Sequence, residues 1–501
     1  MLVAFQNENS LCPFIFGLRA QPHSGLSHPS PRQPSNDPFY APPVNISLYK
    51  EGDIMKWRRT PSQVRSLLYP INVQGAWQFM VRSTNTQGNP VGIVGTIIQP
   101  YNADPSKVLA YNYFEDSADV NCAPSYTILT GADIDTIGSQ VESINMNAAL
   151  TKGWNVLVTD YEGPNAAFSA GILAGKSTLN AIRATLKSGS KTGISPNAKV
   201  AIWGYSGGTI PSSWAGALQP SYAPELSKNL IGVAIGGWVT DLMPVVEKND
   251  GTMFAGFVGA GMLGLASEYP LVNEQLFDYM DPSRVDQVKG LYSQCYLGAL
   301  TNYMNVDFFQ GSDAVFPPEK NVLEIPQVKA MFTENALALD NNGPVPHVPF
   351  FVYHGQDDEV IPFEGSQRVY DTWCSQGIGS MEFAVSESSG HLIEFIEGSG
   401  AALQWLSQRF DGVAPVQGCS RTVRESNLDY PGADSGFYSI ASTTVEAILQ
   451  FQLGPLLSDG DSPDDIEQGL YGIITGLIDA LGALPFKRQD SEEVPLNKAL
   501  R

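Results

Sequence analysis

Gly204, Ser206 and Gly208 form the pattern G-x-S-x-G, which can carry a serine nucleophile. The pattern follows an apolar run, 200–203, that predicts a buried strand, and it precedes a predicted helix over 211–218. A sharp turn between them would expose the serine hydroxyl, and the two glycines would let strand and helix approach each other. A Gly-rich turn without chemistry also fits the bare pattern, so the interpretation depends on finding a base and an acid.

A serine nucleophile needs a base, which is nearly always histidine, and the chain contains five histidines. His23 and His28 precede the serine in a Pro- and Ser-rich segment. His347 falls at the amino end of a predicted strand, and His354 ends that strand with no further strand between it and the acid. His391 follows the last well-predicted strand and precedes a helix, which places it at the edge of the sheet where function is expected. We therefore predict that His391 is the base.

The acid that orients this base is expected on the loop after the strand predicted over 348–353. Three consecutive carboxylates occur there, Asp357, Asp358 and Glu359. One of them must accept the N–H of the histidine ring to fix its tautomer. Spacing alone leaves the choice among the three open.

The elements around these candidates alternate between short apolar strands and helices. The predicted strands cover 108–113, 154–159, 200–203, 230–235, 348–353 and 381–385, and the helices between them include 146–152, 177–187, 362–374 and 392–410. A hairpin is predicted before them, from strands over 77–82 and 91–99. This rhythm predicts an α/β fold with a mostly parallel sheet covered on both faces. It is interrupted over about 241–335, where we find helical patterns and no convincing strand.

Composition bounds the class of protein. The chain has 501 residues, 43% of them hydrophobic and 16% charged, which predicts a globular protein large enough for an insertion or a second domain. Its formal net charge of -22 argues against nucleic acid and strongly anionic membranes as partners. No apolar run reaches transmembrane length, so stable transmembrane anchoring is not expected. The five cysteines include no C-x-x-C pair, which argues against zinc.

The two ends of the chain are less informative. Residues 22–38 are rich in Pro, Ser and His and predict a disordered linker, and Asn45 begins the sequon Asn-Ile-Ser, a candidate glycosylation site. Helices are predicted over 444–453 and 466–484. The pair Lys487-Arg488 fits a dibasic processing site and an ordinary solvated charge pair equally well.

Several separate stretches form a combination more specific than any one motif. They are Asp37-Pro38-Phe39-Tyr40, Arg82-Ser83-Thr84-Asn85-Thr86-Gln87, Glu115-Asp116, Asn121-Cys122-Ala123-Pro124-Ser125-Tyr126, Gly204-Tyr205-Ser206-Gly207-Gly208, Ser221-Tyr222-Ala223-Pro224-Glu225-Leu226, Phe254-Ala255-Gly256-Phe257, Tyr353-His354 with Asp358-Glu359 and Pro362, and His391-Leu392. Over roughly residues 37–423 this combination resembles the fungal secretory lipase family, of the Candida antarctica lipase A type.

The resemblance implies an α/β-hydrolase fold with a helical cap, or lid, inserted after the strand that follows the elbow. It implies a catalytic triad of Ser206, Asp358 and His391, and so selects Asp358 among the three carboxylates. It also implies an oxyanion hole made by the backbone amides of Asp116 and Gly207, of which Gly207 is also the residue that the general rule predicts. The domain boundaries expected on this basis are 1–37 leader and linker, 38–238 first part of the core, 239–335 cap, 336–423 second part of the core, and 424–501 C-terminal extension.

The family pattern further implies two disulfides, Cys122–Cys295 between core and cap and Cys374–Cys419 around the segment that carries His391. Cys12 is left unpaired. The Gly-rich stretch over 254–265 has two interpretations, the wall of a narrow acyl tunnel or tight helix packing through small residues.

From these observations we predict a secreted, monomeric triacylglycerol lipase that needs no metal or organic cofactor and whose partner is a lipid ester, which an oil–water interface could present. Three alternatives remain open. The first is a carboxylesterase or acyltransferase for short or bulky acyl groups that uses the same triad, and a peptidase is a poorer second. The third is a catalytically degenerate hydrolase fold used for binding, which the intact Ser, Asp and His set disfavours.

Overall fold

The computed structural model describes residues 30–67, 69–338, 343–433 and 437–438. The strands in these residues are β1 Ile54–Arg59, β2 Arg65–Ser66, β3 Tyr69–Pro70, β4 Gly75–Thr84, β5 Pro90–Gln99, β6 Lys107–Asn112, β7 Asn155–Thr159, β8 Lys199–Tyr205, β9 Leu230–Gly236, β10 Phe350–Gly355, β11 Ser380–Ser386 and β12 Gly418–Arg424. The α-helices are α1 Pro124–Thr127, α2 Ser143–Thr151, α3 Gly171–Lys187, α4 Gly189–Thr192, α5 Thr209–Tyr222, α6 Leu242–Asn249, α7 Ala255–Ser267, α8 Pro270–Gln275, α9 Val285–Lys289, α10 Tyr296–Asn302, α11 Pro326–Glu334, α12 Phe363–Ser375 and α13 His391–Phe410.

Ten of the described strands form one mixed sheet in the order β1-β4-β5-β7-β6-β8-β9-β10-β11-β12. The strands from β7 to β12 in this order pair in parallel, and β1, β4 and β5 form an antiparallel edge. The central strands are apolar throughout because helices cover both of their faces. The α/β class and the predicted strand and helix order are therefore confirmed.

Alternate residues of β6 show how the sheet divides two cores. Val108 and Ala110 pack in the core that includes α3 and α5. Leu109 and Tyr111 pack in the other core, which includes α2 and α13. Since successive side chains of a strand point to opposite faces, the alternation places the two helix layers on opposite sides of the sheet.

The turn from β8 to α5 has the geometry that the glycine spacing predicts. Ser206 has a φ of 50°, a left-handed conformation that is costly for a residue with a side chain. A Cβ on Gly204 would lie 2.1 Å from the carbonyl oxygen of Gly208, and a Cβ on Gly208 would lie 2.1 Å from that of Asn112. Only glycine fits at either position, and the strained turn holds the Ser206 hydroxyl above the carboxyl end of β8.

Between β9 and β10 the described residues contain the six helices α6 to α11 and no strand, as the sequence predicts. Within this segment, α7 packs against α6, α8 and α10. The Cys122–Cys295 disulfide links it to the loop after β6, and Cys374–Cys419 links α12 to β12. These are the pairs that the resemblance implies. Each bridge is typically worth ~2–4 kcal/mol, mainly through the unfolded chain.

One expectation differs from the structure. The predicted linker over 22–38 is ordered in its described part, because Pro34 is buried, Asp37 pairs with Arg58 at 2.7 Å, and the Ser35 N–H donates to Asn121. Composition alone does not reveal such docking partners.

The strand β12 was not predicted, because its sequence is polar and its residues alternate between half-buried and exposed at the edge of the sheet. Cys12, the helices predicted over 444–453 and 466–484, and the pair Lys487-Arg488 lie outside the described residues. In the part of the chain that the structure describes, no helix is both long and apolar enough to cross a membrane.

Candidate active site

Three side chains from different elements meet at the carboxyl edge of the sheet. His391, the first residue of α13, has Nε2 at 2.8 Å from Oγ of Ser206 and Nδ1 at 2.8 Å from Oδ2 of Asp358, on the loop after β10. The structure thus brings together the predicted serine, base and acid. Of the other two eligible carboxylates, Asp357 is exposed and Glu359 accepts the backbone N–H of His391 at 2.6 Å.

Asp358 is a buried carboxylate with several donors. Its Oδ1 accepts the N–H groups of Val360 at 2.9 Å and Ile361 at 2.6 Å, and its Oδ2 faces His391 and His354. Burial favours the neutral acid, but the charge and hydrogen bond of His391 and the contact with His354 outweigh it and hold the pKa of Asp358 well below its usual range. Asp358 is therefore an anion at any ordinary pH.

The surroundings of His391 decide which ring nitrogen faces the serine. Burial lowers the pKa of His391, but attraction to Asp358 prevails and the net shift is upward. Because Nδ1–H donates to Asp358, neutral His391 has Nε2 free to accept the hydroxyl proton of Ser206. The Tyr205 hydroxyl donates to the His391 carbonyl at 2.6 Å and helps to fix the backbone beneath the ring.

The sequence predicts no catalytic role for His354, and the structure places this residue next to the acid. It is fully buried, and its Nε2 lies 2.9 Å from Oδ2 of Asp358. Its Nδ1 receives the backbone N–H of Trp238 at 3.3 Å and contacts the Ser366 hydroxyl at 2.9 Å. An accepting Nδ1 leaves the proton on Nε2, on the side of the ring that lies next to the acid. The spacing of four residues between His354 and Asp358 was a signal, but a search for a base alone overlooked it.

Asp116 and Gly207 lie in direct contact beside the nucleophile. Asp116 has a left-handed φ of 47°, and a Cβ on Gly207 would lie 1.8 Å from Oδ1 of Asp116. That oxygen is buried and has no hydrogen-bond partner among the described residues. Burial raises the pKa of Asp116 to about 7, against the opposing effect of His391. Asp116 is therefore neutral in weakly acidic solution, where it can donate as well as accept.

An apolar cavity opens next to these groups. Its wall includes Asp116, Ser206 and Gly207 at the polar end and, from the helical segment, Leu242, Val246, Phe257, Val258, Met262, Leu265 and Phe332. The stretch over 254–265 therefore lines a cavity. It also packs tightly, because a Cβ on Gly256 would lie 2.0 Å from the carbonyl oxygen of Ala299. Tight packing therefore applies at Gly256, whereas an acyl tunnel along this cavity stays a prediction.

Residues 128–418 match the family model described as secretory lipase. Lipase 2 of Candida albicans is 40% identical over 465 residues, which cover 93% of this chain and 99% of that protein. Lipase A of Arthroderma benhamiae is 35% identical over 418 residues, which cover 81% of this chain and 86% of that one.

Among solved structures, Candida antarctica lipase A in its closed state matches with a TM-score of 0.74 and 27% identity over 82% of this chain and 95% of that one. A rice cell wall degrading esterase from Xanthomonas oryzae matches with a TM-score of 0.54 and 14% identity over 73% of this chain and 100% of that chain, a likeness of fold alone. The α/β-hydrolase fold is thereby confirmed.

The buried acids predict an unusual dependence of stability on pH. Burial raises the pKa of Asp116 and of Asp160 to about 7, and burial together with repulsion from Glu397 raises that of Glu394 to about 8. In the unfolded chain such groups titrate near pH 4, so the native state holds more protons from about pH 4 to 8 and loses stability as pH rises. We expect a higher unfolding temperature at pH 5 than at pH 8 in calorimetry at constant ionic strength.

Asp160→Asn should reduce the difference in unfolding temperature between pH 5 and pH 8. Asp411→Asn, at an exposed position, is the control for the change in net charge. An unfolding temperature that is equal or higher at pH 8 would contradict the assignment of neutral buried acids.

The contact between His354 and Asp358 predicts different effects of two substitutions. His354→Gln keeps a donor near the position of Nε2, and His354→Leu removes it. Without that donor the charge of Asp358 acts on His391 alone. The Leu variant should therefore lose roughly tenfold in kcat, the size of one charge-assisted hydrogen bond. The acid limb of its pH–rate profile should also move to higher pH, because His391 would hold its proton more tightly. The Gln variant should stay close to wild type. Equal losses with unchanged pH profiles would mean that His354 only fills space.

Proposed function

The chain belongs to the secretory lipase family and is a carboxylic ester hydrolase, and we propose that it cleaves acylglycerol esters through an acyl-enzyme formed on Ser206. The observation that carries this proposal is the continuous contact from Ser206 through His391 to Asp358, opening into an apolar cavity. The chemistry of the lining agrees with this reaction, since an acyl chain needs an apolar wall and its ester needs a nucleophile at one end.

In the proposed reaction, His391 Nε2 takes the hydroxyl proton as Ser206 Oγ attacks the ester carbonyl, and the same proton then passes to the departing alcohol. Asp358 stays ionised and stabilises the imidazolium that forms. Water then attacks the carbonyl of the acyl-enzyme, with His391 as base, and the fatty acid is released. Ser206, His391 and Asp358 thus account for each proton transfer in this sequence.

The charge that develops on the carbonyl oxygen needs donors. We assign these to the backbone N–H of Gly207 and to Asp116, whose amide the family resemblance indicates. One such donor is typically worth about 3 kcal/mol in the transition state. The direct contact between the two residues supports a shared role, because both face the space beside the Ser206 hydroxyl.

The helical segment over 239–335 is best interpreted as a cap, because it supplies most of the apolar wall of the cavity. A carboxylesterase or acyltransferase for short acyl groups would use the same triad, and the preference for acyl chain length separates these alternatives from a lipase. That the protein acts as a monomer stays a prediction.

Secretion is supported by the family and by the two disulfides, which persist in oxidising compartments. Asn45 is exposed and lies beside two exposed apolar side chains, Val44 and Leu48. A glycan on Asn45 would cover this small apolar surface, so we propose that the sequon is used.

Hydrolysis of p-nitrophenyl esters from acetyl to palmitoyl tests the proposed reaction. Ser206→Ala should reduce turnover by roughly 10⁴–10⁶-fold for every substrate, because it removes the attacking atom. The wild-type protein should prefer the longer chains, which bury more apolar surface in the cavity. Ser221→Ala, an exposed serine on α5, is the matched control and should keep full activity.

Activity confined to short chains would be consistent with the triad but would indicate an esterase instead of a lipase. Ester hydrolysis that survives Ser206→Ala would refute the proposed mechanism, and a wild-type protein inactive on every ester would point to a binding role.

The glycosylation proposal has a direct test. Protein recovered from the medium of a secreting yeast culture should lose mass on treatment with an N-glycosidase, and Asn45→Gln should remove that loss because the acceptor amide is gone. A mass loss that persists in Asn45→Gln would place the glycan elsewhere, and Ser47→Ala, which breaks only the sequon, is the control for the substitution itself.

A further inference from the structure

The loop that carries Asp116 follows β6. Two side chains form hydrogen bonds with the backbone groups of three consecutive residues in this loop. The Tyr161 hydroxyl donates to the carbonyl oxygen of Tyr113 at 2.8 Å and accepts the N–H of Glu115 at 3.2 Å. The N–H of Phe114, between them, donates to Oε2 of Glu142 at 2.5 Å. The backbone polar groups that precede Asp116 thus form hydrogen bonds with two buried side chains.

Tyr161 is placed to act as a fixed anchor. It lies two residues beyond the end of β7, the strand next to β6, and is only 2% exposed. Burial, followed by the negative charges of Glu162 and Asp116, raises the pKa of Tyr161 well above its usual value. Its hydroxyl therefore keeps its proton and can donate and accept at once.

The loop needs such an anchor because its next residue is strained. Asp116 adopts a φ of 47°, a conformation that costs roughly 1–3 kcal/mol for a residue other than glycine. A strained conformation persists only where its surroundings determine it. The side chain of Asp116 also lies against Gly207, where an added Cβ would be 1.8 Å from Oδ1 of Asp116.

We propose that Tyr161 is a positioning residue for the oxyanion hole. By bridging Tyr113 and Glu115 it sets the conformation of the loop and thereby the direction of the donor at Asp116. This inference rests on the proposed function, in which Asp116 stabilises the developing oxyanion. Tyr161 itself touches no reacting atom.

Tyr161→Phe tests the proposal because it removes the hydroxyl and keeps the ring. Tyr113→Phe is the matched control, since Tyr113 is equally buried and, among the described residues, its own hydroxyl donates to Sδ of Met146 at 3.4 Å. Each variant is assayed on a p-nitrophenyl ester and on the corresponding thionoester, in which sulfur replaces the carbonyl oxygen. Sulfur gains less from hydrogen-bond donors, so the ratio of the two kcat/KM values reports on the oxyanion hole.

We expect Tyr161→Phe to lower kcat for the ester by about 10–100-fold, a partial loss of one oxyanion donor, with KM changed by less than about twofold. The ester-to-thionoester ratio should fall by a similar factor. Tyr113→Phe should change neither quantity appreciably. Because the ratio does not depend on how much protein is folded, it is valid even if Tyr161→Phe folds poorly.

The inference is overturned if the ester-to-thionoester ratio of Tyr161→Phe equals that of the wild type, or if Tyr113→Phe shows the same loss of kcat. Tyr161 would then be a purely structural residue. Ser206→Ala is measured in parallel. Ester hydrolysis that survives in that variant would instead refute the proposed function, so the two failures are distinguishable.

Discussion

One buried negative charge organises this molecule. Asp358 lies inside the protein as a carboxylate, and a buried anion is tolerable only when its oxygens are fully engaged. Two backbone N–H groups of its own loop, His391 and His354 meet this requirement. The same contacts set the loop after β10 and the orientation of the His391 ring, and so join the second part of the sheet to the elbow that carries Ser206.

The other buried acids nearby illustrate the opposite outcome. Asp116, Asp160 and Glu394 are as deeply buried as Asp358, yet their pKa values are raised into the neutral range because no positive or strongly donating group compensates fully for burial. Environment thus separates one permanent anion, which orients the base, from carboxyl groups that are neutral in weakly acidic solution. Near Ser206 this separation matters, because an ionised Asp116 would repel the oxyanion that the reaction must form.

Much of the site could be predicted because its signals are local. The glycines at 204 and 208 mark a turn that no other residue fits, and five histidines are few enough for elimination to identify His391. The choice of Asp358 needed the family resemblance, since spacing left three carboxylates eligible. The contacts of Tyr161 could not be predicted, because they join residues whose proximity depends on how neighbouring strands end.

The sequence by itself determined the order of strands and helices, the elbow and the identity of the proposed nucleophile, because apolar periodicity and glycine sterics act over a few residues. Only the tertiary structure decided the protonation of the buried acids, the docking of residues 30–38 and the edge strand β12. These depend on burial and on partners far away in the sequence, such as Ser35 with Asn121, which are 86 residues apart. A side chain's charge state is set by its surroundings, and those exist only once the chain has folded.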